Sequence, residues 1–528
     1  MAEQNNNVLG LWEVINNYNE PTMLVATTSV LILAILWYKF ILSTSSNGAP
    51  PLPPGPRSLP IVGYLPFLTP NLHTQFTNMA HTYGPIFKLK LGSKLLVVIN
   101  TPELAKEVVR DQDEAFSNRD QTAAILVMTY GGQDMVFSDN NANWRKLRKL
   151  SVHKMLSNVN LDRSSSVRWE EVRRAVKNVF GKIGTKVDIR EITFSTETSV
   201  LIRTIWESQS DKGVTNSNIV AEIDKVASKV TAILGRMDVS DFFPVLARFD
   251  LQGVVRDMEK QRNKLDQLFT TIIDDRIESN LKMSEDKTGR EGKKDFLQVL
   301  LDYKDEKDAT PLSMIQIKSV LLNIMIAGTE TTATTVEWAM SNIMQNHNIM
   351  KRLQEELVEV VGLNNIVEEH HLPKLKYLDA TIKETLRMHS IVPFLIPRSP
   401  SKECMVGGYT IPKGCTIILN VWSIHRDPRY WDDPLNFNPE RFLTNKWDYN
   451  GNNLIYFPFG SGRRLCAGVP LAEKMLMLIL ASLLHSFDWS IPKGEKHDLT
   501  EIYSIAIKKR KPLTAIPSQR LTDVSLYM

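Results

Sequence analysis

The feature that most constrains this chain is a glycine-rich loop near its end, residues 457–468, which carries a single cysteine. The loop runs directly into an apolar segment, residues 469–484, which is long enough to form a buried helix. Cys466 therefore lies in a tight turn at a helix N-terminus, a position that favours a thiolate. One thiolate cannot complete the roughly four-ligand site of zinc, but it can be the single axial protein ligand of haem iron.

Composition narrows the possible classes of protein. The chain has 528 residues, of which 43% are hydrophobic and 23% charged, which is a balance typical of a globular protein with a large core. The net charge is only +4, so there is no overall basic excess and we expect no nucleic-acid partner. Three cysteines, Cys404, Cys415 and Cys466, are too few for a disulfide framework and fit a reducing compartment.

An apolar segment near the N-terminus predicts a membrane anchor. Residues 22–38 carry no charge, and residues 40–42 continue the apolar stretch beyond Lys39. About 20 helical residues span the hydrocarbon core of a bilayer. No basic residue precedes the segment and no small-residue cleavage site follows it, which favours an uncleaved transmembrane signal anchor at residues 22–42.

The distribution of charge also predicts the domain organisation. Because the first basic residues follow the apolar segment, residues 1–21 are expected to form a short lumenal N-terminus and the body is expected to lie in the cytosol. Residues 43–60 are polar and then proline-rich, and successive prolines fix φ and make a semi-rigid hinge. Composition does not shift after residue 60, so residues 61–528 are expected to form one catalytic domain.

Two predicted helices carry unusual or paired residues. Residues 315–344 form a long apolar pattern with Gly328 and the β-branched Thr331 at its centre, where helix propensity disfavours both. A local rule broken inside a strong helix is where function is expected. A second predicted helix, residues 375–388, places Glu384 and Arg387 at the i,i+3 spacing of an ordinary ion pair.

The cysteine loop resembles that of a known family. The pattern F-x-x-G-x-R-x-C-x-G is filled by Phe459, Gly462, Arg464, Cys466 and Gly468, and it resembles the signature of the haem-thiolate monooxygenases, the cytochromes P450. The resemblance covers essentially residues 50–515. It implies the cytochrome P450 fold, one mainly α-helical unit with small β-sheets, and haem b as a cofactor whose iron is bound by Cys466.

The resemblance also implies roles for residues outside the loop. Thr331 and Glu330 match the family's distal pair, which is expected to hold water and supply protons during catalysis. The remaining matches are the propionate contacts Trp144, Arg148 and Arg398, the haem-binding loop residues Phe459, Gly462 and Arg464, and the buried network of Glu384, Arg387 and Arg441 behind the haem.

The sequence also indicates where the electrons for the reaction come from. No G-x-G-x-x-G fingerprint follows a predicted strand, so the electrons must come from another protein. The implied donor is a membrane-bound flavoprotein reductase that uses NADPH, and the second substrate is O2. Together with the predicted anchor, this indicates a single-pass protein of the endoplasmic reticulum membrane.

The predicted substrate is hydrophobic. The chain resembles plant microsomal members of the family near the sesquiterpene (cadinene-type) hydroxylases, which sit beside flavonoid 3'-hydroxylase-like members. The predicted pocket residues are aliphatic, and a buried polyphenol would need partners for its hydroxyl groups, so a terpenoid is favoured over a flavonoid or phenylpropanoid. These pocket residues are Ile125, Leu126, Val127, Ile326, Ala327, Val392, Leu395, Ile396 and Ile502.

Two functions of other classes remain open on the sequence. A haem-thiolate isomerase or dehydratase would need neither O2 nor a reductase, but such relatives usually lack the acid and threonine pair that Glu330 and Thr331 supply. A haem sensor or carrier would not need apolar loops around a pocket. Consumption of O2 and NADPH separates the monooxygenase from both.

Overall fold

The computed structural model of the protein describes residues 20–43, 50–206, 216–285, 295–305, 309–444 and 447–528. Within these ranges the protein is mainly helical with four small β-sheets, which confirms the predicted fold class. Residues 1–19 of the predicted N-terminus and residues 44–49 of the predicted hinge lie outside the described residues. The boundaries proposed for anchor, hinge and catalytic domain stay predictions.

Helices make up most of the molecule. In chain order they are α1 (Glu20–Ser43), α2 (Leu72–Tyr83), α3 (Pro102–Lys106), α4 (Ala123–Met128), α5 (Ala142–Lys154), α6 (Asn158–Arg163), α7 (Ser165–Phe180), α8 (Ile189–Ile205), α9 (Asn216–Leu234), α10 (Val239–Phe242), α11 (Val254–Glu285), α12 (Phe296–Leu301), α13 (Met314–Gln345), α14 (His347–Val360), α15 (Lys376–Met388), α16 (Val421–Ile424) and α17 (Val469–Ser486).

The strands are short, and most of them follow α15 in the chain. They are β1 (Ile86–Leu91), β2 (Lys94–Ile99), β3 (Asn118–Arg119), β4 (Val187–Asp188), β5 (Arg398–Ser399), β6 (Cys404–Val406), β7 (Tyr409–Ile411), β8 (Thr416–Leu419), β9 (Phe487–Ser490), β10 (Glu501–Ile502), β11 (Lys508–Lys509) and β12 (Thr514–Gln519). The largest sheet has the order β1-β2-β8-β5-β3, and the others are β4-β12-β9, β10-β11 and β6-β7.

The apolar-rich residues 86–91 and 94–99, separated by Gly92 and Ser93, predict a β-hairpin, and this hairpin lies at one edge of the largest sheet. Strands β1 and β2 pair antiparallel in the register Ile86 opposite Ile99 and Leu91 opposite Lys94. Gly92 in the turn has φ +58°, which L residues rarely adopt, and a Cβ there would lie 2.6 Å from the carbonyl oxygen of Phe242. The glycine therefore lets the hairpin turn contact the C-terminal end of α10.

The centre of the core is formed by α13 and α17, which correspond to the helices predicted at residues 315–344 and 469–484. Helix α13 begins with a capping box in which Ser313 and Gln316 satisfy each other's backbone amides, and most of its later residues are buried. Its longest packing interface is with α8, and it also packs against α17. These three helices enclose the space in which the site lies.

Helix α17 is apolar because it is a core helix. Among the described residues it is the one helix long and apolar enough to cross a membrane, yet 72% of it is buried inside the protein. The described apolar run of α1, Thr27–Tyr38, is shorter. Its large side chains are exposed, for example Leu33 at 65% and Trp37 at 61%.

Candidate active site

The cysteine loop holds Cys466 at the start of α17, as the sequence predicts. The backbone amide of Cys466 donates to the carbonyl of Phe459 at 3.0 Å, which closes the turn. Burial raises the pKa of the Cys466 thiol, while the amides of Gly468 and Val469 and the cation of Arg148 lower it. Cys466 lines the cavity described below, where a metal ion could bind its sulfur.

The glycines of this loop have different tasks. Gly468 supplies one of the amides that act on the Cys466 sulfur, as expected. Gly462 has φ +68°, and a Cβ on it would lie 2.3 Å from the carbonyl oxygen of Val109 and 2.7 Å from Oδ1 of Asp113. Gly462 therefore allows the loop to pack against the segment after α3, and it does not direct an amide at the sulfur.

A cavity lies between α13 and the cysteine loop. Its volume is about 300 Å³, at the lower end of the roughly 300–1,000 Å³ of small-molecule sites. Its wall includes Gly328 and Thr331 of α13, Phe459 and Cys466 of the loop, and residues at the start of α17.

Four arginines, Arg119, Arg148, Arg398 and Arg464, line this cavity. Arg119 and Arg398 are direct neighbours because β3 and β5 pair them across the sheet, where like charges are destabilising. Burial and the guanidinium groups of Arg464 and Arg398 hold the pKa of Arg119 well below its usual range. Burial, Arg398 and Arg148 lower the pKa of Arg464 to about 9. Among the described residues only Arg398 has an ion-pair partner, Asp113, so the cluster holds more cations than anions.

Backbone carbonyls hold the guanidinium groups in place without neutralising them. Arg119 donates to the carbonyls of Val136 and Ile396, and Arg464 donates to those of Ser117 and Ser138. Nη1 of Arg464 is buried and has no hydrogen-bond partner among the residues that the structure describes. An unpaired buried donor of this kind costs free energy unless a ligand satisfies it.

Arg398 and Arg148 are anchored on the cysteine loop. Arg398 donates to Asp113 Oδ1 at 3.2 Å and to the carbonyl of Ser461 at 2.9 Å. Arg148 donates to the carbonyl of Leu465 at 2.6 Å. The loop that holds the sulfur therefore also fixes two of the cations.

These residues fit haem. A thiolate in the wall can bind the iron, and the crowded arginines with an orphaned donor suit the two propionate carboxylates. The indole N–H of Trp144 donates to the carbonyl of Met135 at 3.0 Å, and the Trp144 ring lies 4.1 Å from the Arg464 guanidinium. Trp144 thus supports Arg464 from outside the cavity wall.

The distal pair on α13 is divided between two environments. Thr331 lines the cavity, and its hydroxyl donates to the carbonyl of Ala327 at 2.7 Å. Glu330 is 1% exposed and lies outside the cavity wall. Its carboxylate accepts a hydrogen bond from Arg190 at 2.5 Å and forms an ion pair with Lys508.

The network of Glu384, Arg387 and Arg441 is assembled and buried. Arg387 binds Glu384 through two hydrogen bonds, at 2.7 and 2.8 Å, and Arg441 Nε donates to the same carboxylate at 3.3 Å. Arg387 also donates to the carbonyl of His425, and His425 Nε2 accepts from the amide of Phe457 in the cysteine loop. The network therefore supports the loop that carries Cys466.

Comparison with known proteins agrees with this geometry. Residues 53–515 match the family model described as Cytochrome P450. The chain belongs to the cytochrome P450 family. It is an oxidoreductase, a P450 monooxygenase that incorporates one oxygen atom.

Several plant P450s are similar over almost the whole chain. Cytochrome P450 76C1 of Arabidopsis thaliana is 37% identical over 91% of this chain and 94% of its own. Carnosic acid synthase of Salvia fruticosa is 37% identical, with 89% and 94% covered. Flavonoid 3',5'-hydroxylase of Solanum melongena is 35% identical, with 95% and 97% covered.

A solved P450 has the same fold. The zebra fish cytochrome P450 in its structure with abiraterone superposes with a TM-score of 0.70 at 25% sequence identity. The alignment covers 85% of this chain and 99% of that one.

The P450 pocket contains part of the predicted substrate wall. Ala327, Val392, Leu395 and Ile396 line the cavity, as expected. Leu395 has φ +53°, a strained conformation for leucine, and its Cδ1 lies 3.6 Å from where a Cβ on Gly460 would be. This conformation places the Leu395 side chain over the cysteine loop.

The other predicted pocket residues lie outside the wall. Helix α4 packs on α11, which buries Ile125 in the core, while Leu126 is 39% exposed, and Val127 is half-buried against the core. Ile326 lies on the core side of α13, and Ile502 is 44% exposed on β10.

Several wall residues were missed by the sequence analysis. Ile324 shares a helix face with Ala327, Gly328 and Thr331, so helical periodicity could have found it in place of Ile326. Arg119 gave no signal, because only the pairing of β3 with β5 brings it to the site. The others include Met135, Val136, Glu197, Leu201, Asn323 and Ile391.

Proposed function

We propose that this P450 hydroxylates a hydrophobic plant specialised metabolite, a terpenoid of the sesquiterpene type, with O2 and with electrons from NADPH supplied through a flavoprotein reductase. The apolar character of the distal wall carries this proposal. On that side the wall consists mainly of aliphatic side chains and Met135. A substrate rich in hydroxyl groups would lose most of its hydrogen bonds to water there, because Glu197 is the one carboxyl group among the described wall residues.

One amide of the distal wall is already engaged. Asn323 lies on α13 in the wall, but its Oδ1 accepts from the amide of Met135 at 2.8 Å and its side chain also hydrogen-bonds Asp134. It therefore ties the loop before α5 to α13 and is not free for a substrate. This observation favours a terpenoid over a flavonoid, which is the alternative substrate class.

The relatives do not choose between these substrates. Carnosic acid synthase, whose product is a diterpenoid, and flavonoid 3',5'-hydroxylase are similar to this chain at 37% and 35% identity. The choice therefore rests on the polarity of the cavity wall.

Haem b is the cofactor that we assign to the cavity. Cys466 would bind its iron, Arg119, Arg398 and Arg464 would face its propionates, and Arg148 and Phe459 would flank it. When bound, the haem would supply the chemistry of O2 activation, which a thiolate ligand such as Cys466 would favour. Gly462 and the network of Glu384, Arg387 and Arg441 would keep the loop in position.

The threonine and glutamate of α13 have separate proposed tasks. Thr331 faces the cavity and would hold an ordered water there or hydrogen-bond the O2 substrate. Glu330 would supply protons only by leaving its ion pairs with Arg190 and Lys508.

The protein is proposed to sit in the endoplasmic reticulum membrane with its catalytic domain in the cytosol. Besides α1, exposed apolar side chains lie on both segments that hydrogen-bond the β1–β2 turn, including Ile61 at 72% and Val245 at 80%. Such a patch on one side of a protein marks an interaction surface. The Tyr38 hydroxyl donates to the carbonyl of Ser58 at 2.9 Å and joins α1 to the same side.

Co-expression with an NADPH-dependent reductase tests the function. We expect sesquiterpenes to bind with a spectral shift of the haem and to give products heavier by one oxygen atom, dependent on O2 and NADPH. Conversion of flavonoids alone would support the alternative substrate class. Conversion without O2 or NADPH would point to a haem-thiolate isomerase or dehydratase.

Deletion of residues 1–42 tests the anchor. We expect the shortened protein to retain haem and to be partly released from membranes, because the apolar patch around Val245 remains. Loss of all haem binding on deletion would show that the N-terminal segment belongs to the catalytic fold.

A further inference from the structure

A buried carboxyl group on α8, outside every motif of the family pattern, faces the same cavity. Glu197 is 1% exposed and lies in the cavity wall with Leu201 of the same helix and Thr332 of α13. Leu201 follows Glu197 by one turn on one face of α8. A Cβ on Gly328 would lie only 3.0 Å from Leu201 Cδ1, so α8 packs closely on the central stretch of α13.

Within the described ranges Glu197 has no ion-pair partner to explain its burial. Its Oε2 is buried without a hydrogen-bond partner among the described residues. The cation that acts on it is Arg168, but Arg168 donates to both oxygens of Glu369 at 2.7 and 2.9 Å and to Ser164 at 3.0 Å. Burial raises the pKa of Glu197 to about 8 despite Arg168, so the carboxyl carries a proton near neutral pH.

The hydroxyl and carboxyl groups nearby are already committed. The hydroxyl groups of Thr331, Thr332 and Thr335 each donate to a backbone carbonyl one turn earlier, at 2.7, 2.9 and 2.7 Å. Glu330 points away from the cavity into its ion pairs. Among the described residues of the wall, Glu197 is therefore the one carboxylic acid with a free O–H.

We propose that Glu197 is a proton source for the cavity, acting through ordered water held between its carboxyl group and Thr332. The inference rests on the proposed monooxygenase function. In that reaction two electrons from NADPH and two protons reduce one atom of O2 to water, while the other atom enters the substrate. Each proton leaves the Glu197 O–H for the water beside it and leaves a carboxylate.

The protein surface can restore that proton. Arg168 separates Glu197 from Glu369, which is 18% exposed on its side chain and lines an open cleft with Asp162 and Lys474. Solvent in this cleft lies behind the Arg168–Glu369 pair. The structure therefore assigns the side of α8 away from the substrate as the entry side for protons.

The test compares Glu197→Gln with Glu337→Gln in the haem-loaded enzyme with its reductase. Glu337, on α13, is a matched control because it is buried like Glu197 and its pKa is likewise raised, to about 7. It differs in that its carboxylate accepts a hydrogen bond from the Leu513 amide and lies outside the cavity wall. We expect the rate of product formation to fall about 100-fold in Glu197→Gln, the lower end of general-acid effects, and to stay near wild type in Glu337→Gln.

Infrared difference spectroscopy gives a readout that is independent of turnover. Photolysis of carbon monoxide from the reduced haem should perturb the carbonyl band of a protonated carboxyl group, and this band should vanish in Glu197→Gln and persist in Glu337→Gln. Glu197→Asp should retain a shifted band and recover part of the activity. It also keeps the test valid if Glu197→Gln loses haem.

The outcomes separate this inference from the proposed function. Wild type that shows no product dependent on O2 and NADPH overturns the proposed function. Active wild type with Glu197→Gln indistinguishable from Glu337→Gln overturns only the role of Glu197. Loss of the band without loss of product formation places Glu197 at the cavity but also overturns its role as a proton source.

Discussion

Two buried arginine-containing regions lie near the cysteine loop and differ in how their charges are balanced. In the first, Arg387 and Arg441 share the carboxylate of Glu384, and backbone carbonyls accept their remaining N–H groups. In the second, the arginine cluster of Arg119, Arg148, Arg398 and Arg464, only Arg398 has a carboxylate partner among the described residues, which is Asp113, and Arg464 keeps an unpaired N–H.

The difference separates a structural network from a binding site. The protein alone completes the network of Glu384, so its function is to hold the fold near His425 and the cysteine loop. The arginine cluster becomes balanced only when anions enter the cavity beside it. The arginine cluster therefore identifies the ligand-binding region, because its buried positive charge is not balanced by the chain itself.

Breaking the network should have the largest effect. Glu384→Gln leaves Arg387 buried without a counterion, and we expect the free energy of unfolding to fall by about 3–5 kcal/mol, with and without haem. Urea unfolding measures this change. The matched control is Arg352→Gln, which breaks an exposed ion pair with Glu440 and should cost less than about 1 kcal/mol. Equal losses in the two variants would contradict the contrast.

Breaking the cluster should affect only the haem-bound protein. Arg119→Gln removes a cation from a region with too many, so the haem-free protein should keep its stability. Haem should dissociate about 10–100-fold more readily, since a hydrogen bond to a charged group contributes about 1.5–3 kcal/mol. Transfer of haem to an acceptor protein measures the dissociation. Destabilisation of the haem-free protein by this variant would mean that Arg119 belongs to the structural network.

A third buried ionisable group, Glu197, extends the comparison because it makes the stability of the protein depend on pH. Glu197 has its pKa raised from about 4.5 in the unfolded chain to about 8 in the fold, mainly by burial. Folding therefore favours its protonated form. Relative to Glu197→Gln, wild type should lose about 1.4 kcal/mol of stability per pH unit as pH rises from about 4.5 to about 8. Urea unfolding across this range tests the prediction, and a difference independent of pH would contradict it.

Thr331→Ala should have the smallest effect on stability and haem binding. The variant loses one hydroxyl that bonds its own helix, so haem content, substrate binding and NADPH oxidation should remain near wild type. Without the hydroxyl, more of the reducing equivalents should go to hydrogen peroxide. The measurement is product formed per NADPH oxidised with peroxide assayed in parallel, and an unchanged ratio would remove Thr331 from the mechanism.

The sequence predicted the long elements and the linear motifs. The central helix was expected at residues 315–344 and is found at Met314–Gln345, and the hairpin at residues 86–99 is found with its expected turn. Both depend on periodicity and turn residues within one segment. The geometry of Glu384 with Arg387 is local in the same sense, because one turn of helix separates them.

The parts of the site that depend on distant pairing were not predictable. Arg119 reaches the cavity only because β3 pairs with β5, and Glu197 reaches it only because α8 packs on α13. No motif or periodic pattern in the sequence marks Arg119 or Glu197 as a site residue. The expected exposure of Glu330 to the cavity also depended on a partner far away in sequence, since Lys508 of β11 holds its carboxylate.

The carbon monoxide complex of the reduced protein tests the central claim, that the cavity binds haem through Cys466. Wild type should absorb at the long wavelength characteristic of a thiolate ligand, and Cys466→His should absorb at the shorter wavelength of a nitrogen ligand. The controls are Cys404→Ser and Cys415→Ser, buried cysteines of another core cluster that should leave the spectrum unchanged. An unchanged spectrum in Cys466→His would show that another residue holds the iron and would contradict the assignment.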